Sequence, residues 1–394
     1  MSRNIAVGID VGTYQVKVVV AELVKENNKN QTKILGTGLI ESKGLRHGYI
    51  INGADVTSSI QTAVKLAEKA SGLSIHKAFI AVGGIGLSGF TGTASIVISR
   101  ADLQITELDI DKLSQICEES LPVTAIQNQR ILHSIPISYK IDGKTVLAKT
   151  PLDMKGTKLE VKMLFVTCLE PHLNDLLEAV DGAGIEVVDV MASPIAASFA
   201  TLSKTQKIAG CVLANIGAET ISIVVFENNI PVSLEVFPIG SNDITNDIAL
   251  GLKIPLEEAE NIKLGKLGGN SFSKRKLDDI ISARLADMFE LIESHLKKIG
   301  RNGLLPAGIF ITGGGGGTGT TIEDFAKSAL KLPSRIASLN ITEQKNPIKD
   351  STWAVAYGLC MLGLSKEEKT NLGIKNTMSK SGEKIFGWIK QFLP

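Results

Sequence analysis

The strongest constraint on the fold is a plan that the chain writes twice. Residues 5–9 form an apolar run that enters the polar turn Asp10-Val-Gly-Thr13, and the β-branched run 16–21 leads away. Far downstream, residues 211–216, a turn at Gly217 and the run 220–227 repeat the same order. Each copy predicts a hairpin of buried strands with polar residues at its tip. Two copies, each followed by helical and strand-like patterns, predict a duplicated two-lobed α/β protein with a cleft between the lobes. At 394 residues the chain is long enough to give each lobe a substantial core.

Between the copies, helical spacing runs over 55–70 and 171–183, and strands are predicted at 77–82, 163–167 and 186–190. From 89 to 162 the texture changes to alternating strands around one helical stretch, 109–120, which predicts an inserted subdomain. After the second hairpin come helical stretches at 255–267 and 276–298, a strand at 307–312, and helices at 322–330 and 352–362. The segments expected are lobe 1 at 1–82, the insert at 83–162, lobe 1 again at 163–206 and lobe 2 at 207–240. A helical subdomain of lobe 2 follows at 241–300, then lobe 2 again at 301–349 and a helix closing lobe 1 at 350–364. Residues 365–382 are polar and non-periodic, as in a flexible tether, ahead of an amphipathic helix at 383–394.

Lys and Arg total 42 against 41 Asp and Glu, so no global charge draws the chain to nucleic acid. Cys117, Cys168, Cys211 and Cys360 stand far apart, which suits a reducing compartment and excludes a cysteine zinc site. His47, His76, His133, His172 and His295 form no metal-binding spacing. The N-terminal apolar run reaches Asp10 too soon for a signal peptide, and no apolar stretch approaches the roughly 20 residues of a spanning helix. A cytosolic protein is expected, unless something holds it to a surface.

The first turn reads either as a plain hairpin or as a phosphate clamp. In the clamp reading, Gly12 allows close backbone approach, and successive N–H groups with the Thr13 hydroxyl cradle phosphate oxygens. Lys17 supplies a point charge and Asp10 holds a hydrated Mg²⁺. Asn215-Ile-Gly-Ala-Glu-Thr220 stands where a facing clamp is needed, and a matched pair is more specific than either alone. The run Gly313–Gly319 contains both a dinucleotide-type glycine spacing and a tubulin-like phosphate-loop pattern. It follows the last strand, however, which suits a purine or ribose resting on its backbone better.

Near the end, Ile385, Phe386, Trp388, Ile389, Phe392 and Leu393 fall within roughly 160° of a helical wheel. Such a face, behind a polar tether, fits an interfacial membrane helix; the alternative is a helix docking on the protein's own core.

Residues 10–17, 215–220 and 311–315 resemble, in order, the phosphate-one, phosphate-two and adenosine motifs of the actin-like ATPase superfamily. Within it, the chain resembles the FtsA family of bacterial cell-division proteins. Residues 44–50, 131–136, 139–143 and 151–156 resemble stretches around and inside that family's inserted subdomain, called 1C. Residues 240–253 and 257–263 resemble the start of its subdomain 2B, and 382–394 its membrane-targeting sequence. The resemblance implies a two-lobed, actin-like (ribonuclease-H-like) α/β fold with an inserted 1C-type α+β subdomain. It implies ATP and Mg²⁺ in the cleft, self-association into filaments, an anionic membrane surface at the division site and other division proteins as partners. It also implies capture of the C-terminal tail of the tubulin-like FtsZ by 2B, with no nucleic acid.

Carried over by position, Asp10, Gly12, Thr13, Tyr14, Gln15 and Lys17 would form the first clamp, with Mg²⁺ held by Asp10 through water. Asn215, Gly217, Ala218, Glu219 and Thr220 would form the second, backed by Gly240. Glu260 and Lys263 would flank the nucleoside, with Gly313, Gly314 and Gly315 beneath it. Arg284, Lys297, Lys298 and Arg301 are the basic residues expected to meet the FtsZ tail. Asn215 stands where the superfamily usually has Asp, and Ala218 where it has a second Gly. Ser193 precedes Pro194 where hydrolytic members often carry Glu. Binding with at most slow hydrolysis is therefore implied. A PilM-like adaptor of type IV pilus assembly is the alternative and should lack the amphipathic tail. MreB should lack the insertion, a kinase would need a carboxylate base, and a chaperone would need a substrate domain after 365.

Overall fold

The computed structural model describes residues 3–26, 29–148, 150–266, 273–317, 322–341, 348 and 350–371. Lobe 1 opens with an antiparallel meander of β1 (Ile5–Val11), β2 (Gln15–Glu26) and β3 (Lys29–Glu41). A two-stranded strap, β4 (Leu45–Arg46) with β5 (Tyr49–Ile50), leads into α1 (Gly53–Ser71). Asn52 caps that helix by accepting the Asp55 N–H, and Gly72 ends it in the left-handed conformation. Next, β6 (Lys77–Val82) lies parallel to β1.

The insert comprises β7 (Leu87–Val97), α2 (Glu107–Glu119), α3 (Val123–Ile126), β8 (Gln129–Ile141), β9 (Lys144–Thr145) and β10 (Lys158–Leu169). Its strands form a separate antiparallel sheet ordered β7-β10-β8-β9. Ile105, Leu113, Cys117, Tyr139, Leu159 and Phe165 make its own core. The expected boundary between residues 162 and 163 is not a break. β10 continues through it, pairing with β7 as far as Cys168 and with β8 as far as Leu169, so the insert sheet extends to the end of that strand. The alternating pattern gives way to a continuously buried run, Met163 to Cys168, because β10 passes from a half-open sheet into the main core. Leu164, Val166 and Cys168 join that core.

Lobe 1 resumes with α4 (Glu170–Gly182), β11 (Glu186–Ala192) and α5 (Ser193–Thr201), and α6 (Lys204–Ala209) connects it to lobe 2. Lobe 2 repeats the meander as β12 (Cys211–Ile216), β13 (Ile221–Glu227) and β14 (Ile230–Phe237). Helices α7 (Ser241–Leu252), α8 (Leu256–Lys263) and α9 (Lys274–Lys298) follow. Then come β15 (Gly308–Thr312), α10 (Ile322–Leu330) and β16 (Ser334–Ile336). The two main sheets have one topology, β3-β2-β1-β6-β11 matching β14-β13-β12-β15-β16 strand for strand.

Alternation along β12 and β13 sends Leu213, Val224 and Phe226 into the core shared with lobe 1. Val212, Ala214, Ile223 and Val225 face α7, α9 and α10 on the other side. The chain then returns to lobe 1 through α11 (Ala354–Asn371), which packs on β1 and α5. That helix continues past 364, so the first part of the segment expected to be a tether, up to Asn371, is helical.

Candidate interlobe site

A cleft of about 1210 Å³ opens between the two hairpin tips. Asp10, Gly12, Thr13, Tyr14, Gln15 and Lys17 line it from lobe 1, and Asn215, Gly217, Ala218, Glu219 and Thr220 from lobe 2. Glu260, Lys263, Gly313 and Gly314 complete the set that the cleft brings together. Two expected residues fall outside the lining. Gly240 lies behind the second hairpin, where a Cβ would stand 2.4 Å from the Ala218 carbonyl oxygen. Gly315 is turned inward, and a Cβ there would stand 2.4 Å from Ile216 Cγ2.

The two turns close alike. Gly12 N–H donates to Gln15 O at 3.1 Å, and Gly217 N–H donates to Thr220 O at 2.9 Å. These glycine donors are spent on the turn. The N–H groups of Thr13, Tyr14, Ala218 and Glu219 have no backbone partner among the described residues, so each tip keeps two donors of the kind from which anion-binding concavities are built. The second tip is braced from behind, where Ser241 N–H donates to Gly217 O and Asn242 N–H to Ala218 O.

Across β1 and β2, Asp10 stands directly opposite Lys17, so their side chains share one face of the hairpin. Burial pushes the Asp10 carboxyl above its ordinary value, and Lys17 partly offsets this. Burial likewise pushes Lys17 down, opposed by Asp10 and then Asp350. Asp350 also lines the cleft and was not among the expected residues; no motif marks it. Its place is fixed by the contact of the next residue, whose carbonyl accepts from Thr312 Oγ1 at 2.7 Å.

Lys263 does not project freely beside a nucleoside. Its ammonium is buried 2.7 Å from Glu260 Oε2 and donates to Thr245 Oγ1 and Ser241 O, bracing α7 against α8. Leu256 and Leu264 give the same wall an apolar surface.

The four cations expected to meet an acidic peptide do not form one patch. Arg284 makes a paired contact with Asp247 at 2.6 and 3.0 Å. Lys297 pairs with Glu293 and Arg301 with Glu227. Lys298 has no ion pair among the described residues. Arg284 also stands well up α9 from Lys297 and Lys298, by roughly 20 Å along the axis at 1.5 Å per residue. Ile385, Phe386, Trp388, Ile389, Phe392 and Leu393 lie outside the described residues.

Two actin-type meanders facing one cleft define the class of the fold. Solved structures agree: a PilM–PilN type IV pilus biogenesis complex matches with a TM-score of 0.67 at 17% identity, covering 91% of this chain and 98% of that one. MreB5 of Spiroplasma citri bound to ADP matches with a TM-score of 0.53 at 13% identity, covering 94% and 99%. The family model for cell division protein FtsA matches residues 212–358, and that for the SHS2 domain inserted in FtsA matches 84–167, ending close to the end of β10. The FtsA of Borreliella burgdorferi is 30% identical over 99% of both chains. That of Pseudomonas aeruginosa is 28% identical over 93% of this chain and 91% of its own. The chain belongs to the FtsA family of cell-division proteins.

Proposed function

We propose that this chain binds ATP with Mg²⁺ in the interlobe cleft, self-associates on a membrane surface and ties the tubulin-like FtsZ to that surface. The observation that carries the nucleotide part is the matched pair of hairpin tips, which line the same cleft beside the Asp10–Lys17 pair and each keep two N–H groups without a backbone partner among the described residues. The donor chemistry fits a metal nucleotide. A desolvated carboxylate at Asp10 gains from a cation nearby, and Lys17 from a phosphate. Asp10 would hold Mg²⁺ through water; Lys17 and the tip N–H groups would hold phosphate oxygens. Bound Mg²⁺ would supply charge neutralisation between phosphates. MreB5, of the same fold, has been solved with ADP.

Hydrolysis is expected to be slow. Ser193, at the start of α5, borders the cleft where a carboxylate would be needed to activate water. General-base assistance is typically worth about 10²–10⁴-fold.

The membrane part rests on the sequence of the tail, and the FtsZ part on family membership. Arg284 and Arg301 are half-buried in pairs with acids distant in sequence, which leaves Lys297, in a surface pair with Glu293, and Lys298 as the exposed basic candidates of the four for the FtsZ tail. The pilus-adaptor alternative is disfavoured by identity over the full length with FtsA proteins. Flotation with anionic liposomes and ATP, with and without FtsZ, tests the reading. The parent should float and carry FtsZ with it, and Trp388→Glu should do neither while staying folded. Equal flotation of parent and variant would refute the membrane role.

A further inference from the structure

The two lobes touch across the cleft where the second clamp meets a strap of lobe 1 that neither clamp motif includes. His47, at the tip of the strap formed by β4 and β5, donates its backbone N–H to Glu219 Oε2 on the second hairpin. Its ring Nδ1 stands 3.2 Å from the Glu219 carbonyl oxygen, in position to donate as well. His47 has a φ of +49°, a left-handed turn that is uncommon for a residue with a side chain.

The strap is fastened firmly to lobe 1. Ile51 and Asn52 both donate to Gly44 O, at 2.8 and 3.1 Å, which closes its base. Gly48, with φ +82°, lies so close to Gly84 that a Cβ would stand 2.3 Å from the Gly84 Cα. Ile85 N–H donates to His47 O at 3.2 Å. The Tyr49 ring meets His172 edge-on at 5.1 Å, and His172 Nε2 is 3.2 Å from Gly83 O. On the other side, Glu219 belongs to a tip that the start of α7 braces through Ser241 and Asn242. Neither partner sits on a slack loop, so the backbones at His47 and Glu219 move apart only as the lobes themselves do.

We propose that the strap at residues 44–50 is an interlobe latch, with His47 gripping Glu219 across the mouth of the cleft and setting how fast nucleotide enters and leaves. This rests on the cleft being the nucleotide site. The carboxylate of Glu219 is otherwise ill-suited to a tip that faces phosphate. Held by the His47 N–H, it is drawn off toward lobe 1 and leaves the tip N–H groups of Ala218 and Glu219 to the cleft.

The test makes the contact covalent. All four native cysteines are buried, so the paired substitution His47→Cys with Glu219→Cys offers the accessible thiols of the described residues. Mild oxidation of the nucleotide-free protein should close a disulfide between the lobes, detected as loss of free thiol and a gel shift. Loading and release of a fluorescent ATP analogue, followed by stopped flow, should then slow at least roughly tenfold and recover on reduction. Glu219→Ala should speed both rates by a few-fold, and its effect should exceed that of His47→Ala, which retains the backbone donor.

Failure of the disulfide to form would overturn the latch. So would a disulfide that forms without changing the exchange rate, in a parent that binds the analogue normally. If the parent binds no analogue at all, the nucleotide reading fails and takes the gate with it, a result distinguishable from the other two.

Discussion

The two hairpins have the same strands, the same turn closure and the same place in their sheets, yet they differ in charge. The first sets a desolvated carboxylate opposite a desolvated ammonium, Asp10 against Lys17. The second has neutral Asn215, paired in register with Ser222 and Thr312, and the one acid of its tip, Glu219, is turned aside to His47. The difference teaches that a duplicated backbone need not duplicate chemistry. The common geometry supplies donors at both tips, while the facing pair of desolvated charges belongs to the first hairpin alone.

That contrast can be broken most severely by neutralising the charged hairpin. Asp10→Asn with Lys17→Met should abolish the rise in melting temperature produced by MgATP. The unliganded protein should be as stable or more so, by up to about 1–4 kcal/mol, because a buried pair replaced by neutral groups of similar shape often gains. A retained ATP shift would contradict the assignment. Lys17→Ala alone should weaken ATP binding by about 1.5–3 kcal/mol, roughly 10- to 150-fold by titration calorimetry, as for a charge-assisted contact. Asn215→Ala should cost less, about 0.5–1.5 kcal/mol or roughly 2- to 12-fold, as for a neutral hydrogen bond. Equal losses at the two positions would erase the distinction between the hairpins.

The effect that shows only against pH concerns the joint between the halves. Lys207 is buried with its ammonium 5.0 Å from the ring centroids of both Phe199 in lobe 1 and Phe226 in lobe 2. Burial pushes it down to about 8 from an ordinary 10.5. Between those values the unfolded chain holds a proton that the folded chain has released, so the contribution of Lys207 to stability increases with pH across that window. The unfolding free energy of the parent minus that of Lys207→Met, from urea titrations, should therefore rise between pH 8 and 10.5, by at most about 1.4 kcal/mol per pH unit. A flat difference would show that the lysine does not titrate there.

Much of this arrangement was legible because buried strands write themselves as apolar runs. Both hairpins and their turns were visible, and so were α1, α4 and α9 in outline. The third strand of each meander was not. Lys29–Glu41 reads as polar and glycine-broken, since Gly38 yields its side-chain space to α1, where a Cβ would stand 1.9 Å from the Ala63 carbonyl oxygen. The unity of β10 was hidden because its surroundings change midway while its backbone does not. Spacing could suggest the two clamps, each within a few residues, but not the pairing of His47 with Glu219 across 172 positions. Nor could it show that Arg284 and Arg301 were already occupied by acids far away in sequence.

The undivided strand β10 also has a mechanical meaning. It crosses the insert sheet between β7 and β8 and turns into α4 with no intervening loop, Leu169 ending one element and Glu170 beginning the next. The insert is thus joined to its lobe as a spoke is set in a hub, not as a bead on a string. Tension applied to its outer edge has no slack segment on that side in which to be lost, and it arrives at α4, whose His172 carries the Tyr49 ring of the strap.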